Sequence, residues 1–557
     1  MINIENTFVD ALPADQETGN HRRQVNDACY SLVSPTPVRN PSLVSVSSEV
    51  AELLNFPHDF LESASFLNLV SGNQLSKGMK PYAMCYGGHQ FGNWAGQLGD
   101  GRAINLGEVV NVNNERLSLQ LKGAGPTPYS RSADGLAVLR SSVREFLCSE
   151  AMFHLGVPTT RALSLVSTGE QVMRDMFYDG RAAHEPGAVV CRVSPSFIRF
   201  GSFEILSARK NLITLKKLLQ YCISTYFPHL IPEATSSRSP SEKLDACSPE
   251  QIKRIYIAWF KEVAKTTVDM VIHWMRVGFV HGVMNTDNMS IHGLTIDYGP
   301  YGWLEDYDPH WTPNTTDAQN RRYRYENQPG IAQWNLLQLA NAIYPLIEDS
   351  KELEETIQQF ATDYTIGHQQ MMMNKLGLHV ADKNKGKELK EEDVELIDDL
   401  LKILASTETD MTLFYRGLAN VPAVRESQSK NETQVNEDEL IHLIEDSYYL
   451  PKEQRETETA EMLSWLKRYQ HRVGEHKATN ADRKKQMDGV NPKYVLRNYL
   501  AQLAIDKAEQ GDNLLVDELL TVLQNPYDEQ SSKEEFAQKR PEWARNRPGC
   551  SMLSCSS

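Results

Sequence analysis

The chain has 557 residues, 41% hydrophobic and 23% charged, with Lys+Arg 57 against Asp+Glu 73 for a net charge of −16. This composition excludes a mostly disordered or collagen-like chain, and the length exceeds one ordinary domain. The acidic balance argues against bulk binding to nucleic acid or an anionic membrane, and leaves room for a local basic pocket.

Residues 334–347, the most apolar run, are interrupted by Asn335, Gln338, Asn341 and Pro345, so no membrane span is expected. The first residues are acidic and lack an apolar stretch, unlike a secretory signal or a transit peptide. Eight cysteines are scattered with no CxxC pair, which points to a reducing cytoplasm rather than a disulfide framework or zinc site.

In chain order, residues 1–80 read as an irregular N-terminal wrap, Ser-, Pro- and Asn-rich around SLVSPTPVRNPSLVSVSS. ERLSLQLKG (115–123), RALSLV (161–166) and GAVVCRVS (187–194) read as strands. Between the first two, Asp134 reads as an N-cap, and Leu136, Leu139, Val143, Phe146 and Leu147 recur at helical spacing until Gly156 and Pro158 stop the helix. Residues 211–227 and 249–279 are amphipathic helices joined by a polar loop, 232–247. MSIHGLTIDYGP (289–300) resembles a hairpin; residues 330–545 are helical, with 424–439 as a solvated connection.

Three segments carry chemistry. YGGHQFGNWAGQLGDGRAINLGE (86–108) has six glycines within residues 87–101, suited to tight hairpin turns or to a backbone cradle for phosphate. It is neither a Walker A sequence nor GxGxxG, because Ile104 stands where the third glycine belongs; Arg102 adds a potential phosphate fork. Lys122 ends a strand, and Glu145 lies on the next helix, the pairing by which kinase-like folds hold an ammonium against nucleotide phosphates; a structural salt bridge is the alternative. Arg192 and Arg199 are either an anion clamp or surface arginines.

HGVMNTDNMSIHGLTIDYGP (281–300) compares with the kinase HRDxxxxN and DFG motifs. Asn288 and Asp297 fall at the metal-ligand positions, as hard oxygen donors for Mg²⁺ or Mn²⁺. Val283 replaces the usual catalytic Asp, and an Asp stands at 287 instead. HExxH, GxSxG and RNP1 patterns are absent, and Met371, Met372 and Met373 read as core or helix surface. The expected fold is α+β, a protein-kinase-like bilobed arrangement. It has an extension (1–80), a sheet-rich N-lobe (81–202), a helical C-lobe (203–348), a helical extension (349–545) and a Cys-containing tail (546–557).

With YGGHQFGNWAGQLGDGR, LQLKGAGPTPYSRSADGLAVLRSSVREFL and HGVMNTDNMSIHGLTIDYGP in order, the chain resembles the selenoprotein O family, protein adenylyltransferases on a pseudokinase fold. The resemblance implies a bacterial member in which Gly99, Gly101, Arg102, Asp134 and Gly135 contact the nucleotide. Lys122, supported by Glu145, would contact its phosphates, and Arg192 and Arg199 the terminal ones. Asp287 would accept the proton, with Asn288 and Asp297 on the metal and Asp297 also on the nucleotide. It further implies an inverted ATP that transfers AMP to Ser, Thr or Tyr hydroxyls of proteins, with UMP from UTP a variant in bacterial relatives. RNRPGCSMLSCSS resembles the family's redox tail: Cys555 stands at the selenocysteine position, Met552 at the expected Cys, and Cys550 is the nearest partner. Two rivals remain: a divergent kinase transferring the γ-phosphate, and a non-catalytic nucleotide-binding redox sensor.

Overall fold

The computed structural model describes residues 2–233, 239–378, 390–425, 436–475 and 478–554. It is mixed α and β. Up to Ser194 the chain builds a nine-stranded antiparallel sheet, and the remainder is largely helical. The strands are β1 (Ile4–Glu5), β2 (Tyr30–Leu32), β3 (Ser42–Val46), β4 (Tyr82–Met84), β5 (Gly87–Gln90), β6 (Asn93–Gln97), β7 (Ala103–Val110), β8 (Arg116–Lys122), β9 (Ala137–Val138), β10 (Arg161–Arg174) and β11 (Ala183–Ser194). The sheet order is β2-β4-β7-β8-β11-β10-β3, with β1 on β7 and β9 on β11, while β5 and β6 form a separate hairpin.

Residues 1–80 are therefore not simply an irregular wrap. They supply β1, β2, β3 and the helices α1 (Thr7–Ala11), α2 (Ser48–Leu53), α3 (His58–Leu61) and α4 (Ala64–Ser71). β2 closes one edge of the sheet and β3 the other. Residues 33–41 run between them, with Thr36 N–H donating to Ala124 C=O and Asn40 N–H to Thr168 C=O. Strands this short carry too little alternation to be read from sequence.

Successive strand residues face opposite ways, and here the two faces differ in kind. Ile104, Leu106, Leu119, Leu121, Val189 and Cys191 pack with Val50, Leu54, Phe66 and Leu69 of the N-terminal helices. Asn105, Gln120 and Arg192, paired across β7, β8 and β11, share the other face with Lys122. On that face lies α5 (Leu139–His154), whose Val143, Phe146 and Leu147 join Ala188 and Val190 in the main core.

Asp134 does not cap α5. The helix begins at Leu139 with Val138 at its N-cap and no side-chain cap. Asp134 instead accepts from Leu136 N–H (3.0 Å) and pairs with Arg174 (2.7 Å), because β9 intervenes and joins β11 before the helix starts. Gly156 ends the helix region in a left-handed conformation (φ 71), as expected.

The helical part begins with α6 (Phe200–Ala208), α7 (Leu212–Tyr226), α8 (Pro240–Asp245) and α9 (Pro249–Val277). The 232–247 loop thus contains a short helix. Ser248 caps α9 in a capping box with Gln251, Pro249 opens it, and Gly278 (φ 73) ends it. That stop delivers the chain to β12 (Phe279–Val280), which pairs with β13 (Gly302–Trp303). Residues 289–300 do not form a hairpin: Met289 and Thr295 make one bridge, Ser290 bridges to Arg199, and Thr295 also bridges to Thr159. Polar demands from neighbouring segments replace a regular ladder.

Beyond lie α10 (Gln328–Ile347), α11 (Lys351–Lys375), α12 (Glu391–Ser406), α13 (Met411–Leu418), α14 (Glu437–His442), α15 (Glu456–Gly474), α16 (Asn480–Asp488), α17 (Asn498–Ala508) and α18 (Leu514–Leu523). α17 and α18 return to pack on α5, so that helix is buried nearly all round. Much of the expected 424–439 connection, and Cys555, lie outside the described residues. Among the described residues no helix is long and apolar enough to cross a membrane.

Candidate active site

Lys122 ends β8 on the polar face of the sheet, where α5 presents Glu145. Lys122 Nζ is 2.5 Å from Glu145 Oε2 and 3.9 Å from Asp297 Oδ1. Arg192, one strand over, donates to Glu145 Oε1 (2.9 Å), to Asp297 Oδ1 and to Gln120 Oε1. Arg199, at the start of α6, donates to Asp297 Oδ2 and to Asp287 C=O (2.8 Å), and its guanidinium lies over the Tyr86 ring at 4.4 Å. Five side chains distant in sequence thus form one charged cluster.

Burial opposes charge throughout, and the partners decide the outcome. Asp297 loses solvation, yet Arg199, Arg192 and Lys122 outweigh that and hold its carboxyl well below the usual range. Burial lowers the Lys122 ammonium below its ordinary value even though Glu145 opposes the shift. Burial pushes the Asp287 carboxyl up to about 7 against the pull of Arg199.

The loop after β12 is braced from within. His281 Nε2 donates to Ile296 C=O (3.0 Å), and its Nδ1 accepts from Val283 N–H (3.3 Å), tying the start of the loop to the residue before Asp297. Burial keeps this imidazole below its usual pKa, hence neutral with the proton on Nε2. Asn288 Nδ2 donates to Val283 C=O (2.8 Å), which leaves the lone pairs of the amide oxygen for another partner. Asp297 has φ 59, a left-handed conformation uncommon outside glycine.

The β5–β6 hairpin sits on this loop. His89 N–H donates to Thr286 Oγ1 (2.7 Å), and Gln90 Nε2 to Asp287 Oδ2 (3.4 Å). Phe91 N–H donates to Tyr323 Oη (2.9 Å), whose hydroxyl donates to Asn285 Oδ1 (2.6 Å). A Cβ on Gly88 would lie 2.9 Å from Asp287 Oδ1, so glycine here permits a close approach. That same Oδ1 is buried without a hydrogen-bond partner.

The other expected nucleotide contacts lie outside the charged cluster. Gly99 (φ 79) packs on Tyr129, and Gly101 C=O accepts from the Ser130 hydroxyl. Arg102 C=O accepts from Gly123 N–H (2.7 Å), which sets it beside the end of β8, where its charge further lowers the Lys122 ammonium. Asp134 is engaged by Arg174, and Gly135 (φ 77) abuts Gly125, in the loop after Lys122. Cys550 is buried, and burial pushes its thiol up to about 11.

Sequence reasoning missed Gln120, Asn105 and Asp100, a buried chain leading from Arg192 into the sheet. Gln120 Nε2 donates to Asn105 Oδ1 (3.2 Å), and Asn105 Nδ2 donates to Asp100 Oδ2 (3.1 Å). The signal for Gln120 was the polar alternation of RLSLQLK, which reads equally well as a solvated strand face. Elsewhere Glu49, Glu150 and His154 lie close enough to share a metal ion. Arg161 already reaches both carboxylates, at 3.4 and 2.6 Å, and supplies the positive charge there.

The family model described as protein adenylyltransferase SelO matches residues 16–524. The chain belongs to this family. Relatives named protein nucleotidyltransferase YdiU align over the whole chain and 99% of their own length. They include proteins from Rhodopirellula baltica (56% identical over 560 residues), Azoarcus sp. (53% over 555) and Flavobacterium johnsoniae (52% over 556). Membership of the SelO family makes the chain an enzyme, a nucleotidyltransferase.

Proposed function

We propose that the protein transfers AMP from ATP to Ser, Thr or Tyr hydroxyls of other proteins, on a kinase-like two-lobed framework spanning 81–202 and 203–348. The observation that carries this reading is the convergence of Lys122, Arg192 and Arg199 on Asp297, beside the Asp287–Asn288 loop. Three cations suit the terminal phosphates of an inverted nucleotide, gripped and then released as pyrophosphate. Gly99, Gly101, Arg102, Asp134 and Gly135 complete the nucleotide site in this reading.

Asn288 and Asp297, with the partnerless Asp287 Oδ1 close by, form a hard-oxygen donor set that fits Mg²⁺ or Mn²⁺. Such an ion would neutralise phosphate charge. Asp287 takes the hydroxyl proton; its carboxyl, pushed up to about 7 by burial, has a basicity matched to neutral pH. Arg199 holds the backbone of Asp287 through its carbonyl and so sets where that carboxylate points. The seven described cysteines are free, in keeping with a cytoplasmic setting.

The test is incubation with Mg²⁺ or Mn²⁺ and ATP labelled at the α or the γ position, with UTP in parallel. Label entering protein from the α position, with an AMP mass on Ser, Thr or Tyr and loss of transfer in Asp287→Ala, is the expected result. Label from the γ position alone overturns nucleotidyl transfer in favour of a divergent kinase.

A further inference from the structure

Glu145 and Asp297 belong to different parts of the fold, and the charged cluster works only if their separation is held. Beside each lies a residue with no part in the chemistry above. Arg144 precedes Glu145 on α5, and Tyr301 lies four residues after Asp297. The two clasp each other reciprocally. Arg144 Nη2 donates to Tyr301 C=O at 2.7 Å, the Tyr301 hydroxyl donates to Arg144 C=O at 2.8 Å, and the guanidinium carbon lies 4.3 Å from the Tyr301 ring centre.

The surroundings make this more than ordinary packing. Arg144 is 2% exposed, and its Nε and Nη1 are buried with no hydrogen-bond partner. A guanidinium held this way costs free energy, since each unsatisfied buried donor is unfavourable. No carboxylate neutralises it among the described ion pairs; its partners are a carbonyl and a ring. Tyr301 in turn is wedged by Phe279, Tyr298 and Trp303, with ring centres 5.6–5.8 Å away. The ring therefore cannot yield without disturbing β12 and β13.

We infer that Arg144 and Tyr301 are positioning residues that set Glu145 against Asp297, and that the grip on the nucleotide phosphates depends on their clasp. This rests on the nucleotide reading of the Lys122 cluster. The mechanism is geometric. The Arg144–Tyr301 contact fixes how far α5 stands from the 297–301 segment. That distance in turn lets one Arg192 guanidinium touch Glu145 and Asp297 together.

Two variants test it, read by binding of a fluorescent ATP analogue, which does not depend on which phosphate is transferred. Tyr301→Phe keeps the ring and the cation–π contact and removes the hydroxyl's hydrogen bond to Arg144 C=O. Nucleotide binding should weaken about five- to tenfold with little change in the unfolding midpoint. Arg144→Met should weaken it further, and in a Glu145→Gln background it should add little, because both changes act through the same carboxylate. Wild-type nucleotide affinity in Tyr301→Phe overturns the inference, even if Arg144→Met fails to fold. Losses that multiply in the Arg144→Met, Glu145→Gln double variant also overturn it. Should the wild type bind nucleotide but transfer its γ-phosphate, the nucleotidyl reading falls and the clasp stands or falls on the binding data alone.

Discussion

Glu145 meets Lys122 through Oε2 at 2.5 Å and keeps Oε1 for Arg192 at 2.9 Å. The carboxylate is thus shared between an ammonium and a guanidinium, both almost fully buried. On the proposed nucleotide reading, removing the lysine takes a phosphate ligand away, whereas removing the glutamate only frees it. Lys122→Ala should therefore reduce nucleotide transfer by about a hundredfold or more, and Glu145→Gln by roughly tenfold. Equal losses in steady-state assays of the two would contradict this division of roles.

Arg192 tests geometry rather than charge. Its fork reaches Gln120, Glu145 and Asp297 at once, which a single ammonium on a flexible stem cannot do. Arg192→Lys should lower transfer by at least about tenfold and also lower the unfolding midpoint, since Gln120 and Glu145 lose buried partners. A lysine variant matching the wild type in both measurements would show that charge alone suffices.

Gly88 offers a steric test of the hairpin. An added Cβ would meet Asp287 Oδ1 at 2.9 Å and Thr286 Oγ1 at 3.0 Å, and the residue lacks a positive φ that would strain alanine. Gly88→Ala should therefore displace Asp287 and depress the transfer rate while circular dichroism and the unfolding midpoint stay near wild type. Full activity would mean that the hairpin does not rest on Asp287 during turnover.

Glu305 gives a stability prediction far from any transfer assay. Burial pushes its carboxyl from 4.5 up to about 7, despite Arg497 and Arg540, and Oε1 is buried without a partner. Between about pH 4.5 and 7 the folded protein keeps a proton that the unfolded chain releases, so this group's contribution to stability falls as pH rises through that window. Glu305→Gln should flatten the decline and raise stability at pH 8 by on the order of 2 kcal/mol. Chemical denaturation at pH 5 and pH 8 would show it, and parallel slopes in the two proteins would refute it.

Cys550 should be inert while the fold is intact, because its thiol is buried and pushed up to about 11. Mass spectrometry after brief native alkylation at pH 7.5 should find it unmodified, and denaturation should expose it. Rapid native labelling would restore Cys550 as a redox candidate.

The features that were legible are those fixed by local spacing. Asn288, Asp297 and Lys122 sit at offsets that can be counted along the chain, and α9 is bracketed by Ser248, Pro249 and Gly278. What could not be read depends on partners far away in sequence. Asp134 looks like a helix cap until Arg174 and β9 claim it. Gln120 looks like a solvated strand residue until Arg192 of β11 and α5 enclose it. Residues 289–300 have a hairpin's composition, but Thr295 is drawn to Thr159 and Ser290 to Arg199. In each case a tertiary contact outweighs a local preference.

The connection between β2 and β3 has a consequence for chain length. These two strands lie at opposite ends of a seven-strand path, six inter-strand steps apart, or about 29 Å in a flat sheet at roughly 4.8 Å per step. From Leu32 to Ser42 there are ten residue steps, which reach about 34 Å when fully stretched. Pro35, Pro37 and Pro41 hold much of that span extended. The tether therefore has almost no slack. Deleting two residues from it would shorten its reach to about 27 Å and pull one border strand away, while inserting two would cost little. The width of the sheet thus sets a minimum on the number of amino acids between its two borders.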